Sequence, residues 1–263
     1  MTELTFGFSP CPNDTFAFYA MVEGLTGEPL TVRPVMEDIE ALNQRARTGD
    51  LDLTKLSFGA LAQLDGEYIP LRSGAALGRG VGPLIVAREP MGLARAAAGP
   101  IAIPGRDTTA YLLLKLACGD ALGETVELRY DEILGAVQRG DVAAGLIIHE
   151  SRFTYAHHGL TRIADMGEWW EGETGMPLPL ATICARADLD SATRDLAERT
   201  LRASVQHAFA HPDASCGFVR AHAQEMSDDV CRQHIELYVN DFTIDLGDEG
   251  ARAVAELLGA ARA

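Results

Sequence analysis

Short apolar runs alternate with amphipathic helical runs up to about residue 190, and this alternation restricts the chain to an α/β layout before any motif is considered. Strand-like runs lie near Leu4–Phe8, Leu30–Pro34, Leu51–Leu56, Pro83–Ala87, Ile101–Ile103, Val126–Tyr130, Ala143–Ile148 and Leu180–Ala185. Between them, residues 38–48 place Ile39, Leu42 and Ala46 on one helical face and stop at Gly49. Residues 131–139 do the same with Ile133, Leu134 and Val137 ahead of Gly140. Largely parallel strands are expected. After about residue 190 the chain reads as three or four helices, with Ser191, Ser227 and Asp248 as candidate N-caps. Two rounds of alternation and a helical tail predict two α/β lobes, the tail packing back on the first. Residues 1–88 with 181–263 are expected to form the larger, discontinuous lobe, and 89–180 the smaller. The expected crossings are Ser73–Pro83 and Met176–Ala181.

Composition narrows the partner. A chain of 263 residues with an apolar share of 47% buries a sizeable core. Its formal charge of −16 repels nucleic-acid phosphates and anionic membranes, so a small molecule is the expected ligand. No apolar run approaches the roughly 20 residues of a membrane span, and Met1–Phe6 lacks the basic and apolar regions of a signal peptide, so a cytoplasmic location is expected. Cysteines at 11, 118, 184, 216 and 231 have no zinc-knuckle spacing and suit reduced thiols, so no metal is expected. The basic residues include only two lysines, Lys55 and Lys115, and for each a solvated surface position competes with a functional one.

Four segments carry polar groups to strand ends. In Phe6–Phe16 a strand meets Pro10 and Pro12, then Asn13, Asp14 and Thr15, which reads as a βα turn with Asp14 or Thr15 able to cap the helix. In Leu53–Phe58, Lys55 and Ser57 fall on one side of an extended chain. No G-x-S-x-G elbow surrounds Ser57, so it reads as a hydrogen-bond donor rather than a nucleophile. Ile101–Ile103 leads through Pro104–Thr109 into the apolar helix Ala110–Cys118, and such a helix N-terminus can seat an anion. Simple capping by Asp107 or Thr108 is the alternative. His149 follows the buried run Ala143–Ile148, where open α/β sheets border their ligand crevice and an imidazole can exchange a proton. A hydrogen-bonded histidine that merely ends the strand is the alternative there.

Other features carry less. The glycines of Ser73–Pro83 lead into a strand rather than a helix, so they read as a turn or hinge and not a nucleotide fingerprint. His207 and His211 have helical spacing but no H-E-x-x-H pattern, and His157–His158 has no companion ligand. The tryptophan-bearing Glu168–Glu173 reads as a solvated edge with a packed indole, or a lid.

Five segments appear in one order: Phe8-Ser-Pro-Cys-Pro-Asn-Asp-Thr-Phe16, Leu53-Thr-Lys-Leu-Ser57, Leu77-Gly-Arg-Gly-Val-Gly-Pro83, Pro104-Gly-Arg-Asp-Thr-Thr-Ala-Tyr111 and Gly145-Leu-Ile-Ile-His-Glu-Ser-Arg-Phe-Thr-Tyr155. Together they span most of the chain and resemble the 1,4-dihydroxy-6-naphthoate synthase family of the futalosine route to menaquinone. The resemblance implies a two-lobed fold like the type II periplasmic binding proteins, with a ligand cleft between lobes. It also implies a cofactor-free lyase that converts cyclic dehypoxanthinylfutalosine to 1,4-dihydroxy-6-naphthoate, with His149 as proton acceptor. Implied substrate contacts fall on Lys55, Leu56 and Ser57, on Thr109 and Ala110, and on Asp38 and Asn43. Asp107 stands beside the expected anion seat, where its charge opposes a carboxylate. Two other readings share this architecture: chorismate dehydratase of the same pathway, and a cytoplasmic small-anion-binding protein.

Overall fold

The computed structural model describes residues 2–64, 66–223 and 227–262. The strands are β1 (Thr2–Phe8), β2 (Leu30–Met36), β3 (Leu53–Ser57), β4 (Tyr68–Pro70), β5 (Ala76–Gly78), β6 (Leu84–Ala87), β7 (Ile101–Ile103), β8 (Thr125–Glu127), β9 (Ala144–Ile147), β10 (Thr161–Asp165) and β11 (Leu178–Arg186). They form two sheets, ordered β2-β1-β3-β11-β4, with β5 also paired to β11, and β10-β6-β9-β7-β8. Each sheet is the centre of one lobe.

The sheets are mixed rather than largely parallel. β1 runs parallel to β2 and β3, and β7 parallel to β8 and β9. The strands that arrive from the other lobe do not follow this rule: β6 is antiparallel to β9, and β11 is antiparallel to β3. A strand reached by an interlobe crossing is free of the right-handed βαβ connection that enforces parallel pairing. Leu84–Ala87, expected in the larger lobe, pairs with β9 and β10 of the second sheet, so the first crossing precedes it. Residues 178–180, expected in the smaller lobe, belong to β11 of the first sheet.

Burial patterns explain the layers. Phe6, Phe8, Phe18 and Met21 pack between β1 and the helix α1 (Pro12–Val22), and Leu201 and Val205 of the helix Ser191–Ala210 close the same core. The second lobe buries Leu84, Val86, Ile133, Val137 and Ile147. The tail packs on the first lobe through α1, and its last helix, Gly247–Arg262, also reaches the helix Thr109–Cys118 of the second. The first tail helix is capped by Asp190 rather than Ser191. Ser227 caps as expected, and Asp248 lies in the first turn of its helix. The Glu168–Glu173 segment lies in a helix, Met166–Thr174, with Trp170 buried and its indole N–H donating to Pro177 O at 3.2 Å. No disulfide joins any of the five cysteines.

The lobes meet around Asp107. Its carboxylate accepts a forked pair from Arg47, with Nη2 to Oδ1 at 2.7 Å, and its N–H donates to Glu40 Oε1 at 3.3 Å. Gly59 lies against the backbone there, and a Cβ at that position would stand 2.7 Å from Thr108 O and 2.9 Å from Asp107 O. Only glycine admits this approach. Gly59→Ala is therefore expected to cost the closed arrangement about 1–3 kcal/mol through overpacking. Small-angle scattering should show a more expanded particle, and an unchanged scattering profile would contradict this contact.

Candidate functional site

The carboxyl ends of β1, β3, β7 and β9 converge on the gap between the sheets, so the turns that follow them line a single interlobe cavity. Lys55, Ser57, Thr109, Ala110 and His149 all line it. Leu56, Asp38 and Asn43 do not. Leu56 points to the opposite side of β3 by strand alternation and is fully buried in the core. Asp38 caps the helix α2 (Ile39–Ala46), accepting from Glu40 N at 3.0 Å and Ala41 N at 3.1 Å. Asn43 holds Ser57 from behind, accepting its N–H at 2.9 Å and donating to its Oγ at 3.1 Å. This leaves the Ser57 hydroxyl proton free to turn toward the cavity.

Lys55 and Asp14 form a buried ion pair with Nζ to Oδ1 at 2.5 Å, their side chains 4% and 2% exposed. Asp14 is held in turn by Ser9 Oγ at 2.7 Å, Ser9 N at 3.1 Å and Asn13 Nδ2 at 2.8 Å. Neither Asp14 nor Thr15 caps α1. The helix opens on Pro12 with Cys11 in the cap position, because Asp14 turns back toward the strand end and the lysine. The opening run thus supplies the counter-ion of the cleft, a role that strand and turn patterns alone do not reveal.

The second-lobe wall is the N-terminus of Thr109–Cys118. Thr108 is its N-cap, accepting from Tyr111 N at 3.2 Å. The Thr109 hydroxyl is spent between the lobes, donating to Leu180 O at 2.6 Å and accepting from Gly59 N at 3.1 Å. What faces the cavity is the first turn of the helix at Thr109 and Ala110, where N–H groups lack intrahelical partners. Asp107 does not oppose an anion here, because its charge is drawn onto Arg47.

His149 is the only non-glycine residue with positive φ, 56°, among the described residues. That conformation costs on the order of 1 kcal/mol or more and turns the chain sharply off β9. Its Nδ1 lies 3.4 Å from Cys11 Sγ, whereas Nε2 has no hydrogen-bond partner among the described residues. Tyr130 packs edge-on against the ring at 5.0 Å between centroids. Enclosure, and then the positive charge of Lys55, pull the imidazole down to about 3 from its ordinary value of 6.5. It is therefore neutral at physiological pH. Cys11, His149 and Glu150 also place one potential ligand atom each within 4.8 Å of the others. Burial, then the charge of Glu150, push the Cys11 thiol well up, so it serves as a weak hydrogen-bonding group rather than a ready thiolate.

Two further cavity residues, His234 and Tyr238, come from the helix Asp228–Tyr238 of the tail. Nothing in the local pattern marks them, since they sit on the apolar face of an ordinary amphipathic helix. His207 and His211 stack on each other at 4.5 Å at the end of Ser191–Ala210, away from this cavity.

Comparisons with known proteins agree with this architecture. A 1,4-dihydroxy-6-naphthoate synthase of Thermus thermophilus is 53% identical over all of this chain and 95% of its own length. The Streptomyces coelicolor protein of the same name is 43% identical over 99% and 93%. A protein of Archaeoglobus fulgidus superposes with a TM-score of 0.93 at 35% identity, over 99% of this chain and 97% of its own. The periplasmic aliphatic sulphonate binding protein of Escherichia coli shares the fold at a TM-score of 0.67 and 12% identity, over 98% and 86%. A family model described as menaquinone biosynthesis matches residues 4–263, and the chain, two-lobed like the periplasmic binding proteins, belongs to that family of biosynthetic enzymes.

Proposed function

We propose that this protein converts cyclic dehypoxanthinylfutalosine to 1,4-dihydroxy-6-naphthoate, with His149 as the general base. The observation that carries the reading is the placement of His149 just past the carboxyl end of β9 on the interlobe cavity, its Nε2 buried with no hydrogen-bond partner among the described residues. The fit to a naphthoate precursor is chemical. Its carboxylate suits the first turn at Thr109 and Ala110 and the positive charge of Lys55. Its flat ring suits the apolar wall of Ile39, Val81, Ile148 and Leu180.

A base must hold a lone pair toward its substrate. In the tautomer that carries its proton on Nδ1, facing the Cys11 sulfur at 3.4 Å, Nε2 offers that lone pair to a substrate hydroxyl. Removal of the hydroxyl proton allows the carbon–carbon bond of the ribose-derived portion to break in a retro-aldol sense. The bonding electrons pass to the ring system, and aromatisation of the product drives the step. Ser57 and Lys55 orient the ligand, and Asn43 and Asp14 position those two side chains. Contact between the lobes at Gly59 and Thr109 keeps water from the intermediate.

His149→Asn should lower kcat by about 100-fold or more, the scale of a lost general base, while calorimetry still detects substrate binding. Near-normal turnover would remove His149 from the role. Because the folded imidazole stays neutral down to about 3, kcat should be flat from pH 8 to roughly 5 and fall only as protonation approaches that lower value. An acid limb centred near 6.5 would show that His149 titrates as it does in water. Asp14→Ala should destabilise the fold by about 3–5 kcal/mol, because it leaves a buried lysine charge alone. The double change Asp14→Leu with Lys55→Met should recover most of that stability in denaturant titration and little of the activity. Recovery of both would reduce the pair to a packing element.

A further inference from the structure

His234 is 1% exposed, yet it lines the same cavity as His149 and faces it from the first-lobe side. The two rings lie 6.3 Å apart between centroids, inclined by 29°. Phe153 packs against His234 at 6.1 Å and Tyr238 at 4.7 Å. Neither Nδ1 nor Nε2 of His234 has a hydrogen-bond partner among the described residues. Buried polar atoms are nearly always paired, so two open nitrogens on a cavity wall mark a place where something else completes the bonding. Burial, and then the neighbouring His149 and Lys55, hold this imidazole uncharged. The unpartnered His207 Nδ1 and Ser215 Oγ lie outside this cavity, which separates His234 from incidental gaps in the helical tail.

We infer that His234 is a second substrate-contacting residue, whose unpartnered ring N–H on the cavity wall donates to a substrate oxygen that gains negative charge as the carbon–carbon bond breaks. The inference rests on the proposed lyase reaction. A neutral imidazole suits this task because it donates one hydrogen bond without surrendering a proton, so no bond to His234 forms or breaks. The two histidines divide the work: His149 accepts the proton and His234 steadies the oxygen. One comes from a strand end of the second lobe and the other from the helical tail of the first, so the pair is assembled only when the lobes are together.

The test is steady-state turnover of cyclic dehypoxanthinylfutalosine by the wild type, His234→Phe and His234→Gln, with melting temperatures for all three. Phe keeps the ring and removes both nitrogens, so kcat should drop at least about tenfold with the fold intact. Gln keeps a donor and should recover part of the loss. Wild-type kcat and KM in His234→Phe, or losses in both variants that simply follow lowered melting temperatures, would overturn the assignment. No turnover by the wild type would overturn the lyase reading beneath it. If the Phe variant fails to fold, the ring-nitrogen NMR signals of His234 in the His149→Asn protein report the same contact. Movement on adding substrate supports the inference, and unchanged signals overturn it.

Discussion

A lysine charge buried in the wall of the interlobe cleft is the constraint around which the rest of the site is arranged. Lys55 is held there by Asp14, and a charge that deep is tolerable only with a close, well-bonded counter-ion. Asp14 in turn needs Ser9 and Asn13, and this explains why the chain breaks off β1 with two prolines and begins α1 without a side-chain cap. The ion pair is therefore the organising element of the first-lobe wall. It also acts across the cavity, where burial first and then its positive partner disfavour protonation of His149, and burial, His149 and then Lys55 do so for His234.

Closure is what gives those charges their strength. The Thr109 hydroxyl, bonded to Gly59 N and Leu180 O, ties the two lobes at the lip of the cavity. Arg47 and Asp107 form a second tie outside it. Between these ties the cavity is lined by the ends of strands, the turn that carries His149 and the start of a helix. Among the described residues the one non-glycine backbone with positive φ, at His149, turns that side chain out of line with its strand. Binding proteins of the same fold need a cleft and an anion seat. The proposed chemistry rests on what this cleft holds besides, His149 with its left-handed backbone.

Much of this was legible in the residues. Apolar runs located eight of the strands, and the positions of His149, Lys55, Ser57 and the Thr109 turn at strand ends followed from periodicity alone. Three strands escaped for physical reasons: Tyr68–Pro70 and Ala76–Gly78 are too short to show a period, and Thr161–Asp165 is an edge strand broken by Arg162 and a bulge. β11 begins at Leu178 despite Pro179 because a register shift between Pro179 and Ala181 accommodates the proline. Asp38, Asn43 and Leu56 stand next to the cavity in sequence but serve a cap, a neighbouring serine and the core. His234 shows the reverse failure, since a residue about 85 positions from His149 reaches the same cavity only through tertiary packing.

The proposed lyase chemistry of this cleft, on a ribose-bearing naphthoate precursor, is decided by the products it forms. Incubating the purified protein with cyclic dehypoxanthinylfutalosine, and in parallel with chorismate, and identifying the products by mass spectrometry tests it most directly. The account predicts 1,4-dihydroxy-6-naphthoate and a released three-carbon fragment from the first, and no change in the second. Unchanged futalosine derivative, or dehydration of chorismate instead, would contradict it.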